Sequence, residues 1–207
     1  MSTAPSQFLT PEQYLAIERK AATRSEYFRG EMFAMSGARW RHNLIKDNFA
    51  GETRSQLKNG PCRVVTSDQR VKIPATGLYT YPDIVVVCGE PQFEDRTLDT
   101  LLNPTVIVEV LSESTENYDR VTKFKHYRQL ASVREYVLVS QDQALLERYT
   151  RQPDDNWLIR FFSDLTATFE FCSIPVSVPL SEIYSGVRLD QAEATGGAGN
   201  DRPATEP

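Results

Sequence analysis

The run Thr105-Val106-Ile107-Val108-Glu109-Val110-Leu111 constrains this chain more than any other segment. Strand alternation puts Val106, Val108 and Val110 on one face and Ile107, Glu109 and Leu111 on the other. A strand that is apolar on both faces belongs in the centre of a sheet, covered from both sides. A carboxylate inside such a strand is costly unless it is paired, protonated or bound to a metal. A second acid, Asp83, follows Pro82 and opens the apolar run Ile84-Val85-Val86-Val87-Cys88. Two acids on two core strands are the first candidates for chemistry.

The segments around these strands define the fold class. Thr10-Pro11-Glu12 predicts a helix start, with a capping Thr and a Pro at the first helical position, running to about Arg24. Residues 26–35 predict a hairpin about Gly30. Trp40 to Lys58 predicts an amphipathic helix, with Leu44, Ile45, Phe49 and Leu57 on its buried stripe. Short strands are expected over Cys62 to Thr66 and Arg70 to Ile73, a loop over 74–81, and another loop over 89–103. After the Glu109 strand, Ser112, Ser114 and Thr115 offer hydroxyls to cap a helix that ends near Ala131. Arg134 to Ser140 is again apolar, so strand, helix and strand form a βαβ unit with parallel strands. Leu145 to Thr150 and Trp157 to Phe162 flank Pro153-Asp154-Asp155-Asn156 and predict a hairpin. Thr168 to Val178 predicts one more strand. The expected class is α/β in the mixed α+β sense, with antiparallel strands first and one parallel crossover after them. A single domain is expected over 1–190, with a disordered tail over 191–207 of Ala, Gly, Thr, Asp and Pro.

The chain has 207 residues, enough for one domain with a substantial core. No apolar stretch approaches the roughly 20 residues of a membrane-spanning helix, and no signal peptide is evident, so a cytoplasmic protein is expected. The net charge of −5 argues against a surface that coats nucleic acid throughout, but not against a local basic cleft. Cys62, Cys88 and Cys172 form no CxxC pair, and His42 and His126 are the two histidines. Zinc ligation is therefore not expected. The cysteines read as small core residues in a reducing compartment. His42 reads as a surface residue near a helix start.

The helix after Glu109 carries the third candidate. At about 100° per residue, Val121, Phe124, Tyr127, Leu130 and Ala131 form an apolar face. Lys123 falls at the edge of that face and leans toward the sheet, as does Arg120. A lysine on the second turn reaches the C-terminal end of the preceding strand. Asp83 and Glu109 then suit a divalent cation, with Lys123 beside it. That set fits phosphodiester hydrolysis, since hard cations take oxygen ligands and an ammonium stabilises developing negative charge. The plain structural alternatives are an Asp83 that caps backbone amides or pairs with Arg70, a Glu109 paired with Arg63, Arg70 or Arg120, and a Lys123 that snorkels along the core edge. The three together, in strand, strand, helix order, are more specific than any one of them.

Several motifs also carry a family resemblance. They are Phe8-Leu9-Thr10, Tyr14-Leu15, Gly30-Glu31, Met35-Ser36-Gly37 and His42, then Tyr81-Pro82-Asp83-Ile84-Val85-Val86. They continue with Asn103-Pro104, Val108-Glu109-Val110-Leu111-Ser112, Ser114-Thr115, Tyr118-Asp119-Arg120, Lys123-Phe124, Tyr127 and Glu135-Tyr136-Val137-Leu138-Val139. Over residues 8 to 187 the chain resembles the Uma-two family of proposed restriction endonucleases, in the PD-(D/E)XK nuclease superfamily. The resemblance implies a restriction-endonuclease-like core of helix, three strands, helix and strand. An N-terminal helix and hairpin and a C-terminal β-hairpin are added to it. It assigns Pro82-Asp83 to the PD motif and Glu109 to the acidic position, both binding Mg²⁺ or Mn²⁺ together with the Val110 carbonyl, and it leaves two readings of Glu31, an extension of the acidic cluster or only the end of a hairpin. The superfamily's lysine stands two residues after the glutamate, where this chain has Leu111; Lys123 on the next helix is the matching amine. The implied activity is endonucleolytic cleavage of DNA; Arg120 and Lys125 are expected to meet backbone phosphates, and a homodimer is expected because cutting two strands needs two sites. The alternative is a non-catalytic nuclease-fold module that serves oligomerisation or nucleic-acid binding.

Overall fold

A computed structural model of the chain describes residues 8–113 and 115–189; the tail over 191–207 lies outside the described residues. Helix α1, Pro11–Glu18, starts with the capping box that its sequence offers. Gln13 N–H donates to Thr10 Oγ1, and the Thr10 amide donates to Gln13 Oε1. The helix stops at Glu18, short of Arg24, because Ser25–Phe28 is already β1, which pairs antiparallel with β2, Glu31–Ala34. Helix α2, Trp40–Leu57, matches its expected span.

Strands β3 (Cys62–Thr66), β4 (Arg70–Ile73), β5 (Leu78–Thr80), β6 (Ile84–Cys88), β7 (Thr100–Leu101) and β8 (Val106–Val110) follow. The two segments read as loops, 74–81 and 89–103, therefore carry β5 and β7. A π-helical turn, Tyr118–Lys123, then runs into α3, Phe124–Tyr127. The remaining elements are β9 (Glu135–Val139), β10 (Leu146–Arg151), β11 (Trp157–Phe162), β12 (Thr168–Glu170), β13 (Ser177–Pro179) and α4 (Leu180–Ile183). The segment read as one strand over 168–178 is in fact the hairpin β12–β13.

The strands form two main sheets. One has six strands in the order β11-β10-β9-β8-β6-β3, the other five in the order β2-β1-β5-β4-β7. In the larger sheet β8 and β9 are parallel, joined by the expected crossover, and the other neighbours are antiparallel. Strand β8 is central and fully buried, as its apolar run requires. On one face Ile45, Phe49 and Leu57 of α2 pack against Val86, Val108 and Val137, closed by Phe169 and Phe171. On the other face Val85, Ile107, Tyr136 and Leu138 meet Tyr127 and Leu130 together with Val71, Ile73 and Leu78 of the smaller sheet. By strand alternation Glu109 points into this second layer, between the two sheets.

The cysteine reading is corrected. Cys62 and Cys88 stand opposite each other in the β3–β6 pair and are joined by a disulfide; Cys172 is free and exposed. The expected apolar face of the helix after Glu109 is corrected too. Val121 is 50% exposed, Ala131 is exposed, and the helix ends at Tyr127. A π turn spends about 4.4 residues per turn, so a wheel drawn at 3.6 places the residues on its early part wrongly.

Candidate active site

Antiparallel pairing of Ile84 with Val108 brings Asp83, just ahead of β6, to the end of β8 that carries Glu109. The backbone locks the two acids together. The Asp83 amide donates to Glu109 Oε2 at 3.2 Å, and the Val110 amide donates to Asp83 Oδ2 at 2.8 Å. Glu109 is 3% exposed, whereas the Asp83 side chain keeps 18% of its surface open. One acid is therefore walled in, and the other faces the groove.

Lys123 reaches the same point from the π turn. Its Nζ lies 3.1 Å from Glu109 Oε1, 3.0 Å from Asp119 Oδ1 and 3.6 Å from Glu26 Oε1. Tyr127 adds a hydrogen bond, its hydroxyl donating to Glu109 Oε1 at 2.9 Å. Glu26, on β1, accepts from the Thr80 hydroxyl and from Tyr118 Oη at 3.4 Å. Burial raises the Glu109 carboxyl above the ordinary carboxylate range; Lys123 opposes that shift, while Asp119 and Asp83 add to it. Burial would lower the Lys123 ammonium, but the charges of Glu109, Asp119 and Glu26 outweigh it and hold Lys123 protonated.

Three of these residues escaped the reading of the sequence. Asp119 sits four residues before Lys123, a spacing that signals a side-chain pair on any helix. Glu26 lies in a short alternating strand with nothing local to mark it. His42 is the third, and its surface assignment is corrected. It stands on the first turn of α2 with a side chain only 12% exposed, its Nε2 lies 3.1 Å from Asp83 Oδ2, and its Nδ1 is buried without a hydrogen-bond partner.

The other candidates are placed elsewhere. Glu31, at the start of β2, is exposed and outside the cluster, while Glu26 of the same hairpin lies within it. Arg120 turns away from the groove, ion-paired with Glu116 and with the buried Glu147 of β10. Lys125 is exposed on α3. None of Arg63, Arg70 and Arg120 reaches Glu109; Arg70 instead pairs with Asp99.

A groove of about 1080 Å³ opens over the cluster, with Asp83, Glu109, Val110 and Lys123 on its floor and Arg24, Arg39 and Lys46 among its wall residues. No three His, Cys, Asp or Glu side chains among the described residues already surround a single metal point. Two carboxylates are nonetheless a fitting donor set for Mg²⁺ or Mn²⁺. Such ions are commonly held by one or two carboxylates, with waters and substrate phosphates completing the shell. The hard oxygens of Asp83 and Glu109 and the carbonyl of Val110 match that chemistry.

Comparison with known proteins agrees with this architecture. A crystal structure titled as a "putative nuclease belonging to DUF820", from Anabaena variabilis, superposes with a TM-score of 0.71 over 86% of this chain and 98% of its own, at 16% identity. It shares the restriction-endonuclease-like fold. An uncharacterised protein of Synechocystis sp. is 34% identical over 185 residues, 89% of this chain and 96% of its own length. A second from the same organism is 32% identical over 171 residues, 83% of this chain and 97% of its own. The family model described as "Putative restriction endonuclease", Uma2, matches residues 11–177, which hold every residue of the cluster just described, and the chain belongs to that family.

Proposed function

We propose that this chain is a divalent-metal-dependent endonuclease that hydrolyses DNA phosphodiester bonds, acting as a single domain over 1–190. The observation that carries the reading is the meeting of Asp83, Glu109 and Lys123 at one end of β6 and β8, beneath an open groove. In this reading Asp83, Glu109 and the Val110 carbonyl hold Mg²⁺ or Mn²⁺. The bound ion supplies Lewis acidity and neutralises phosphate charge. Glu109 stays in place through the Asp83 amide and the Tyr127 hydroxyl, so its second oxygen cannot swing away. Lys123, kept protonated by Asp119 and Glu26, presents an ammonium toward the groove floor, where it stabilises the charge that builds on the phosphoryl oxygens.

The test is cleavage of supercoiled and single-stranded DNA in Mn²⁺ by the wild type, Glu109→Gln and Lys123→Ala. Glu109→Gln is expected to abolish cleavage while the far-ultraviolet circular dichroism stays native. Lys123→Ala is expected to slow cleavage by roughly 10²- to 10³-fold, the scale for losing one preorganised charge-stabilising donor. Wild-type rates in Glu109→Gln would sink the proposed site. A wild type that cuts no DNA yet binds it would favour the non-catalytic module.

A further inference from the structure

Two aromatic rings stand open beside Lys123, and the chemistry assigned to the floor uses neither. Phe33 is 48% exposed and Tyr118 is 37% exposed, and both line the groove. Their places follow from backbone register and from contacts. Phe33 on β2 is the cross-strand partner of Glu26 on β1, so its ring stands beside the carboxylate that faces Lys123. Tyr118 opens the π turn, donates its hydroxyl to Glu26 Oε2 at 3.4 Å, and has its ring centroid 5.8 Å from Lys123 Nζ. Glu26 thus neighbours both rings, and Lys123 lies over one face of Tyr118.

Three cations also stand in the walls, Arg24 with Asp68 at 3.4 Å and Lys46 with Asp47 at 3.7 Å. Arg24, Arg39 and Lys46 line the same groove, and Lys46 is steadied by Ser67 Oγ at 3.1 Å. The acids of the cluster lie deep, with Glu109 3% and Asp119 2% exposed, while Asp68 and Glu113 are exposed on the walls. Cations on the walls and flat apolar faces at the rim are the recurring parts of sites that hold single-stranded nucleic acid, where the backbone follows the charge and bases stack on the rings. In a duplex the bases are already stacked and paired, and their faces are closed to Phe33 and Tyr118.

We propose that the groove takes single-stranded nucleic acid, with Phe33 and Tyr118 as stacking platforms that flank the scissile phosphate. This rests on the nucleic-acid reading of the same site, and it selects the form of the substrate. The rings hold unpaired bases, Arg24, Arg39 and Lys46 follow the backbone, and Lys123 meets the phosphate between the two platforms.

The experiment is fluorescence anisotropy in EDTA, where no metal-dependent cleavage intervenes. The probes are a labelled 12-nucleotide oligo-dT strand and a duplex of equal length. The wild type is expected to bind the single strand at least tenfold tighter than the duplex. Phe33→Ala and Tyr118→Ala should each weaken single-strand binding by roughly 5- to 100-fold, the range for losing one base–aromatic stack. Phe33→Tyr, which keeps a ring, should restore most of it. Duplex affinity should hardly change in any variant. Both rings are partly exposed, so thermal unfolding of the alanine variants should stay close to wild type and exclude a folding defect. Equal or tighter duplex binding, or alanine variants that bind the strand like wild type, would overturn the stacking proposal and leave the nuclease reading standing. Binding of neither probe by the wild type would also overturn the stacking proposal, while cleavage in Mn²⁺ tests the nuclease reading separately.

Discussion

At the scale of single residues, His42 separates a metal reading from a purely structural one. Its Nε2 lies 3.1 Å from Asp83 Oδ2, the oxygen that also accepts the Val110 amide. Two contacts on that one oxygen fix the carboxylate's rotation at the edge of the groove. Groups that orient a metal-binding carboxylate typically cost 10- to 100-fold in metal affinity when removed. His42→Ala is therefore expected to weaken Mn²⁺ binding by roughly that factor in a calorimetric titration, with Asp83→Asn weaker still. Unchanged Mn²⁺ affinity in His42→Ala would reduce the contact to packing. The acids were legible because a charge inside an apolar strand breaks a strong pattern. Lys123 was legible because it follows Glu109 by one helical segment. His42 was not, because its partner lies 41 residues away and its own neighbourhood, Arg39 to Asn43, is polar.

At the scale of elements, two features show where local pattern runs out. The first is the π turn. Tyr118 to Lys123 fits an α-helix by composition, but it forms a π turn, which shifts the exposed Val121 away from the face of Tyr127, while Asp119 and Lys123 are buried. The second is the Cys62–Cys88 disulfide, which ties β3 to β6 across a separation of 26 residues. Nothing near either cysteine signals the other; strand register alone sets them opposite each other. Closing a loop of that size stabilises a fold by about 3.5 kcal/mol in the chain-entropy account. Reduction, or Cys62→Ser with Cys88→Ser, should lower the unfolding free energy by about that amount in urea titrations. Identical midpoints with and without reductant would mean that the thiols are not bridged. Helix α2 and the β10–β11 hairpin were read correctly because an 18-residue helix and a turn of Pro, Asp, Asp and Asn carry their own signals.

At the scale of the whole molecule, the order of the elements was legible but their division between two sheets was not. Strands β3 and β4 are separated by three residues, yet β3 pairs with β6 in one sheet and β4 with β5 in the other. Partner choice of this kind depends on what covers each face, which a single segment does not reveal. A charged network then ties α1 to the smaller sheet. Asp99 accepts from Arg19 Nε at 2.8 Å and from Arg19 Nη2 at 3.0 Å, and its Oδ2 lies 2.8 Å from Arg70 Nη2. Arg70 itself is 3% exposed, and that carboxylate offsets part of the cost of burying its charge. The hydrogen bonds from Arg19 come first in holding the Asp99 carboxyl below its ordinary range; partial burial opposes them, and the charge of Arg70 adds to them. A depressed carboxyl contributes stability that is complete above its unfolded value, near 3.9, and is lost as pH falls through the folded value. Hydrogen bonds to charged groups are worth about 2 kcal/mol, so Asp99→Asn should cost about 2 kcal/mol at pH 7 in urea unfolding. The gap between wild type and variant should shrink as the pH drops below about 4, where the unfolded chain's carboxylate takes up its proton while the folded one, held by Arg19 and Arg70, still resists it. A gap of the same size at pH 7 and at pH 2.5 would show that shape, not the charge of Asp99, holds α1 against the sheet.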